Sequence, residues 1–124
     1  MDDRRKSIGA KGERIAARRL KVLGYKIVEK NHRTRLGELD IIAEEGGDLV
    51  FVEVRTRTGN SFGTPEDSVT KRKQRKLTSL AYAYLERHDR NDVSCRFDVV
   101  AVEPARKWYK RHEVRVIQNA FQVD

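Results

Sequence analysis

The chain has 124 residues, 37% of them charged and 38% hydrophobic, with a formal net charge of +8. That balance suits a folded domain with a heavily charged surface and excludes a low-hydrophobicity disordered tail. No apolar run approaches the roughly 20 residues that a bilayer span requires, so no membrane partner is expected, and the length suits one domain, 1–124.

The chain opens on Met1-Asp2-Asp3-Arg4-Arg5-Lys6 with no apolar stretch behind it, so no signal peptide is expected. A first helix is predicted over residues 9–23, where Ile8, Gly12, Ile15, Ala16, Leu20 and Leu23 recur at helical spacing. Lys11, Arg14, Arg18 and Lys21 fall on another side as a basic stripe, and Gly24 is a stop signal. Residues 25–33 read as a strand. Residues 37–44 and 48–57 read as two more, joined by a Gly46-Gly47 turn. A loop over 58–63 follows. Thr64-Pro65-Glu66-Asp67 has the form of a helix start, and a helix to about residue 88 would bury Val69, Leu77, Leu80, Ala81 and Tyr84. Residues 93–102 are nearly all apolar, as in a strand covered on both faces. Cys95 lies there alone, so neither an internal disulfide nor a cysteine-based zinc site is available, and cytoplasm is the expected compartment. Residues 108–117 read as a last strand. The order α-β-β-β-α-β-β predicts an α/β fold, a central mixed sheet with flanking helices.

Charge placement says more than its total. Residues 4–35 hold twelve Lys or Arg against Glu13 and Glu29, and Lys71-Arg72-Lys73-Gln74-Arg75-Lys76 adds five cations in six residues. Two such patches fit a polyanion, whose counterions they would displace, so nucleic acid is the expected partner. Lys11, Arg14, Arg18, Lys71, Arg72, Arg75 and Lys76 are the candidate phosphate contacts.

Strand pleating isolates a candidate site. Glu38, Asp40 and Ile42 would share one face of their strand, and Leu49, Phe51, Glu53 and Arg55 one face of the next. With Gly46 and Gly47 as the turn, Asp40 lies opposite Glu53 and Glu38 opposite Arg55. Two facing carboxylates among Leu39, Ile41, Phe51 and Val52 repel each other and lose hydration. A hard divalent cation would compensate; ion pairs with Arg55, or a solvated strand edge, would also do so. Glu13 borders the buried side of its helix and could meet Asp40. Lys73 sits between Val69 and Leu77 on an apolar stripe, aimed at the sheet, with Gln74 a weaker candidate of the same kind. Trp108 and Tyr109 fit base stacking, core packing or a homodimer contact.

The segments Gly37-Glu38-Leu39-Asp40-Ile41-Ile42-Ala43 and Leu49-Val50-Phe51-Val52-Glu53-Val54-Arg55 resemble the PD-(D/E)xK nuclease superfamily. With Gly9-Ala10-Lys11-Gly12-Glu13, Phe62-Gly63, Lys73-Gln74-Arg75-Lys76-Leu77 and Arg96-Phe97-Asp98-Val99-Val100, the chain more closely resembles the YraN family of bacterial proteins over nearly its whole length. The resemblance implies a restriction-endonuclease-like core similar to archaeal Holliday junction resolvases. It implies Glu13, Asp40 and Glu53 around Mg²⁺ or Mn²⁺, with the Val54 carbonyl nearby and Arg55 holding the scissile phosphate; Lys73, by its place on the apolar stripe, would join Arg55 on the phosphate or else snorkel along the helix edge. The implied activity is metal-dependent hydrolysis of DNA, branched or damaged forms included. Arg55 stands where the superfamily has lysine. Arginine stays protonated and cannot act as a general base, so a nucleic-acid-binding module without catalysis is the alternative reading.

Overall fold

The computed structural model describes residues 3–57, 63–90, 92–105 and 111–122, with side chains from residue 9 onward. Helix α1 (Asp3–Val22) precedes strands β1 (Lys26–Thr34), β2 (Gly37–Glu45) and β3 (Asp48–Thr56). A 3₁₀ turn (Pro65–Ser68) and helix α2 (Lys71–Arg87) follow, then β4 (Cys95–Pro104) and β5 (His112–Phe121). The strands form one sheet in the order β1-β2-β3-β4-β5. Neighbours are antiparallel except β3 and β4, which are parallel and joined through α2. This is the mixed α/β sheet that the periodicities predict.

The helices cover opposite faces. Ala16, Ala17 and Leu20 of α1 pack on Ile41, Ala43, Val50, Val52, Val100 and Val102. Leu77, Leu80, Ala81, Tyr84 and Leu85 of α2 pack on Leu39, Ile42, Leu49, Phe51, Phe97 and Val99. Alternation along β3 and β4 explains both sets, and each large side chain removed from water stabilises by about 1.5–3 kcal/mol. Gly46 and Gly47 both take positive φ, 59° and 87°, which a two-residue hairpin with the right twist requires.

The structure corrects three boundaries. Leu23, expected in the core, is 53% exposed. The helix ends one residue earlier, at Val22, where Tyr25 N–H reaches back to the Leu20 carbonyl and Gly24 turns at φ 98°. Ile8 lies outside the described side chains. The second helix does not start at Thr64. That residue caps only the 3₁₀ turn, the chain bends at Val69, and Thr70 caps α2 through Lys73 N–H. Two capping threonines six residues apart give two separate starts, and Val69 buries itself between them. Gln74 belongs to this bend: its amide donates to the Val69 carbonyl at 3.1 Å. The last strand runs about four residues further along the chain than predicted. Its polar Gln118 and Asn119 look like a strand end, but Gln118 donates to Tyr25 Oη and Asn119 N–H to buried Asp98. Phe121 then stacks on Phe97 with centroids 4.7 Å apart. Trp108 and Tyr109 lie outside the described residues.

Candidate functional site

Five residues singled out from the sequence converge at one end of the sheet: Glu13 from α1, Asp40 from β2, Glu53 and Arg55 from β3, and Lys73 from the first turn of α2. The hairpin register holds as far as Ile41 opposite Val52. Beyond that pair the two strands part, and Val54 N–H donates at 2.9 Å to Asp40 Oδ2. Asp40 therefore fills the fork with its side chain, and it shares a hydrogen bond with the Glu53 carboxyl.

The fork alters the expected faces. Glu38 and Asp40 turn toward Glu13 of α1, while Leu39 and Ile42 both join the α2 core. So Asp40 and Ile42 do not share a face. One oxygen from each of Glu13, Glu38 and Asp40 lies within 4.8 Å of the others. Glu38 does not pair with Arg55. It faces Arg33 across the β1–β2 ladder, with Arg33 Nε 3.3 Å from its Oε2. Arg55 instead bonds Glu53 Oε2 at 3.2 Å, and Lys73 Nζ approaches the same oxygen at 3.7 Å.

Asn31 joins the site without any warning in the sequence. It sits in the β1 register position that would face Asp40, at φ 55°, a conformation that Asn tolerates better than most residues. With its amide nitrogen toward the acids it donates to Glu13 Oε1 at 2.6 Å and to Glu38 Oε1 at 2.9 Å. Glu38 was legible as an acid near the site, but its partnership with Glu13 depends on the bend at Asp40.

Burial decides the electrostatics. Glu53 is only 6% exposed. Burial first, then the neighbouring Asp40 carboxylate, push its pKa up to about 8, against the opposing pull of Lys73 and Arg55. Glu13 rises to about 7, again from burial first, then Asp40 and Glu38. Asp40 is raised by burial and held back by the Val54 N–H. The two cations sit on Glu53, so they leave Glu13 and Asp40 facing each other. Arg55 Nε is buried with no hydrogen-bond partner among the described residues.

The basic residues divide by position. Lys71, Arg72, Arg75 and Lys76 are exposed on the first turns of α2, beside half-buried Lys73. Lys11 lines a cleft with Gly12, Thr56 and Arg57, close to the fork. Arg14 is exposed on the next turn. Arg18 lies apart from the acids, in a depression with His112 and Val114 of β5. The α1 stripe therefore spreads from the fork toward the far edge of the sheet.

The model of the Uncharacterised protein family UPF0102 matches residues 12–102. The chain belongs to the UPF0102 family. This is the YraN family to which the motifs point. A UPF0102 protein of Symbiobacterium thermophilum is 51% identical over 114 residues, covering 92% of this chain and 95% of its own. UPF0102 proteins of Moorella thermoacetica and Desulforamulus reducens are each 47% identical, covering 94% and 98% of this chain and 97% and 100% of their own. The UPF0102 match begins at Gly12, where α1 touches β3, and takes in Glu13, Asn31, Glu38, Asp40, Glu53, Arg55 and Lys73.

Proposed function

We propose that the protein is a Mg²⁺- or Mn²⁺-dependent phosphodiesterase acting on nucleic acid, DNA foremost, with branched or damaged forms among its substrates. One observation carries this reading: Asp40 lies between two acids pushed into the neutral range, sharing a cluster with Glu13 and Glu38 on one side and a hydrogen bond with buried Glu53 on the other. A cluster arranged this way retains protons that a divalent ion can replace. Its donors are all oxygens, the set that hard cations select. Glu13, Asp40 and Glu53 would hold the ion, with Glu38 and Asn31 fixing the position of Glu13. A bound ion supplies Lewis acidity toward a phosphodiester.

The rest of the work falls to the chain itself. Lys73 and Arg55 lie beside the acids, both on Glu53, and would be released to hold a phosphate if Glu53 served as an ion ligand. The Arg55 side chain is 30% exposed and can offer its accessible guanidinium nitrogens to a phosphate oxygen. An arginine at position 55 has the role of positioning the phosphate and stabilising charge, not of a general base. Lys11, Arg14, Lys71, Arg72, Arg75 and Lys76 supply backbone contacts on either side.

A binding module without catalysis is the second reading. It is favoured by arginine at position 55 and by the pairing of both nearby cations with Glu53. Calorimetric titration with Mn²⁺ and Mg²⁺ separates the two, with Asp40→Asn and Glu53→Gln as controls. It is followed by a cleavage screen on linear, flapped and four-way DNA and on RNA. Metal binding by the wild type and metal-dependent cutting that disappears in Glu53→Ala are expected. Absence of metal binding ends the enzymatic reading, and nucleic-acid binding without cutting selects the second.

A further inference from the structure

The β1–β2 turn and the second half of α2 enclose an open depression of about 680 Å³. Its wall includes Arg33, Arg35, Leu36 and Arg87, with His32 and Tyr84 at the back. We propose that this depression is a second polynucleotide-binding surface, which holds the phosphate backbone of a strand as it leaves the acid fork. The proposal rests on the nucleic-acid reading above and extends it to a surface that reading does not use.

Three features carry it. Three guanidinium groups converge on one depression. Arg35 and Arg87 are exposed and have no ion-pair partner among the described residues. Arg33 is paired with Glu38, which leaves Arg35 and Arg87 as the two like charges that an incoming anion would stabilise, and guanidinium forks match phosphate oxygens. The depression is also continuous with the fork. Arg33 bonds Glu38, which lies against Glu13 and Asp40. Gly37, next in the turn, packs so tightly on Lys76 and Leu80 that an added Cβ would meet Lys76 Cε at 3.1 Å. The basic first turns of α2 therefore lead along one helix to Arg87. Lys73 and Arg87 are about 21 Å apart along that helix, the span of roughly six phosphates on one strand of a duplex. Finally, Leu36 is 58% exposed at the tip of the turn between these arginines. An apolar side chain flanked by cations suits a sugar or base face better than it suits an acidic peptide.

The test measures binding of a fluorescent 16-base-pair DNA duplex, and the RNA duplex of the same sequence, across a salt series. Wild type is compared with Arg35→Gln, Arg87→Gln and the double variant. Each single change should weaken binding about five-fold at low salt and lower the log–log salt slope by about one. Mn²⁺ affinity should not change, which keeps the loss separate from damage to the fork. Unchanged duplex affinity and slope in the double variant would overturn the proposal and leave the nucleic-acid reading standing. If the wild type binds neither duplex at low salt, both fail. Equal binding of poly-glutamate at matched charge would assign the surface to acidic protein instead.

Discussion

Glu53 carries the tension at the residue scale. It is buried beside Asp40, and its pKa of about 8 lies well above the ordinary 4.5. A carboxyl raised in the folded state contributes stability that is fully present below pH 4.5 and lost as pH climbs through 8. Glu13 adds a loss in the same direction, complete near pH 7. Without divalent ions, Glu53→Gln should therefore gain on the wild type as pH rises, and be the more stable of the two at pH 8.5. Urea unfolding at a series of pH values measures this. A wild-type–variant difference that stays flat from pH 5 to 8.5 would show that Glu53 ionises normally. The same substitution should abolish Mn²⁺ binding, and wild-type Mn²⁺ affinity should rise between pH 6 and 8 as protons leave the cluster. Stability and ion binding then pull in opposite directions at one side chain, as at many functional sites.

At the scale of elements, the site depends on how closely α1 approaches β3. A Cβ at Gly12 would lie 2.1 Å from Thr56 Oγ1, far inside van der Waals contact. Glycine is required there for proximity, and its neighbour Glu13 is thereby brought to the fork. Gly12→Ala should cost about 1–3 kcal/mol by overpacking and reduce Mn²⁺ affinity, because α1 must lift with Glu13 on it. Adding Thr56→Ala should recover most of both losses, measured by urea midpoint and calorimetry. Lack of rescue would mean that the contact is not what positions Glu13. The strands show the limits of pattern reading. The alternation of β3 predicts its faces correctly, with Val50 and Val52 toward α1 and Leu49 and Phe51 toward α2. The alternation of β2 does not, because strict pleating gives way at Asp40, where a side chain replaces a backbone partner. Nothing in the local sequence marks that break.

At the scale of the whole molecule, a second polar network ties the two ends of the chain together. Arg96 bonds Asp48 at 2.9 Å, Glu45 at 2.6 Å and Asp98 at 3.0 Å. Asp98 is fully buried and also accepts from Tyr25 Oη and Asn119 N–H. The α1–β1 connection, β4 and β5 thus share one buried carboxylate, and Arg96 extends the network to Glu45 and Asp48. Arg96→Met should cost about 3 kcal/mol or more, because it strands that charge in the core. Arg96→Met with Asp98→Leu should recover much of it, since removing both partners leaves no buried charge. Urea unfolding reads the difference. An equal loss in the single and double variants would place the stabilisation elsewhere.

The sequence by itself determined the element order, the glycine hairpin, the apolar faces of both helices and five of the residues that meet at the candidate site. Those signals are local: a periodicity, a turn dipeptide or an acid in an apolar run constrains its own neighbourhood. Only the tertiary structure decided that Glu38 and Asn31 belong with Glu13, that Arg55 and Lys73 both sit on Glu53, and that Arg18 lies away from the acids. It also decided the full extent of β5, whose polar residues find partners on β1's approach and on β4. These outcomes depend on where strands part and how close a helix can come, and distances between remote segments are set by packing, which no stretch of sequence encodes alone.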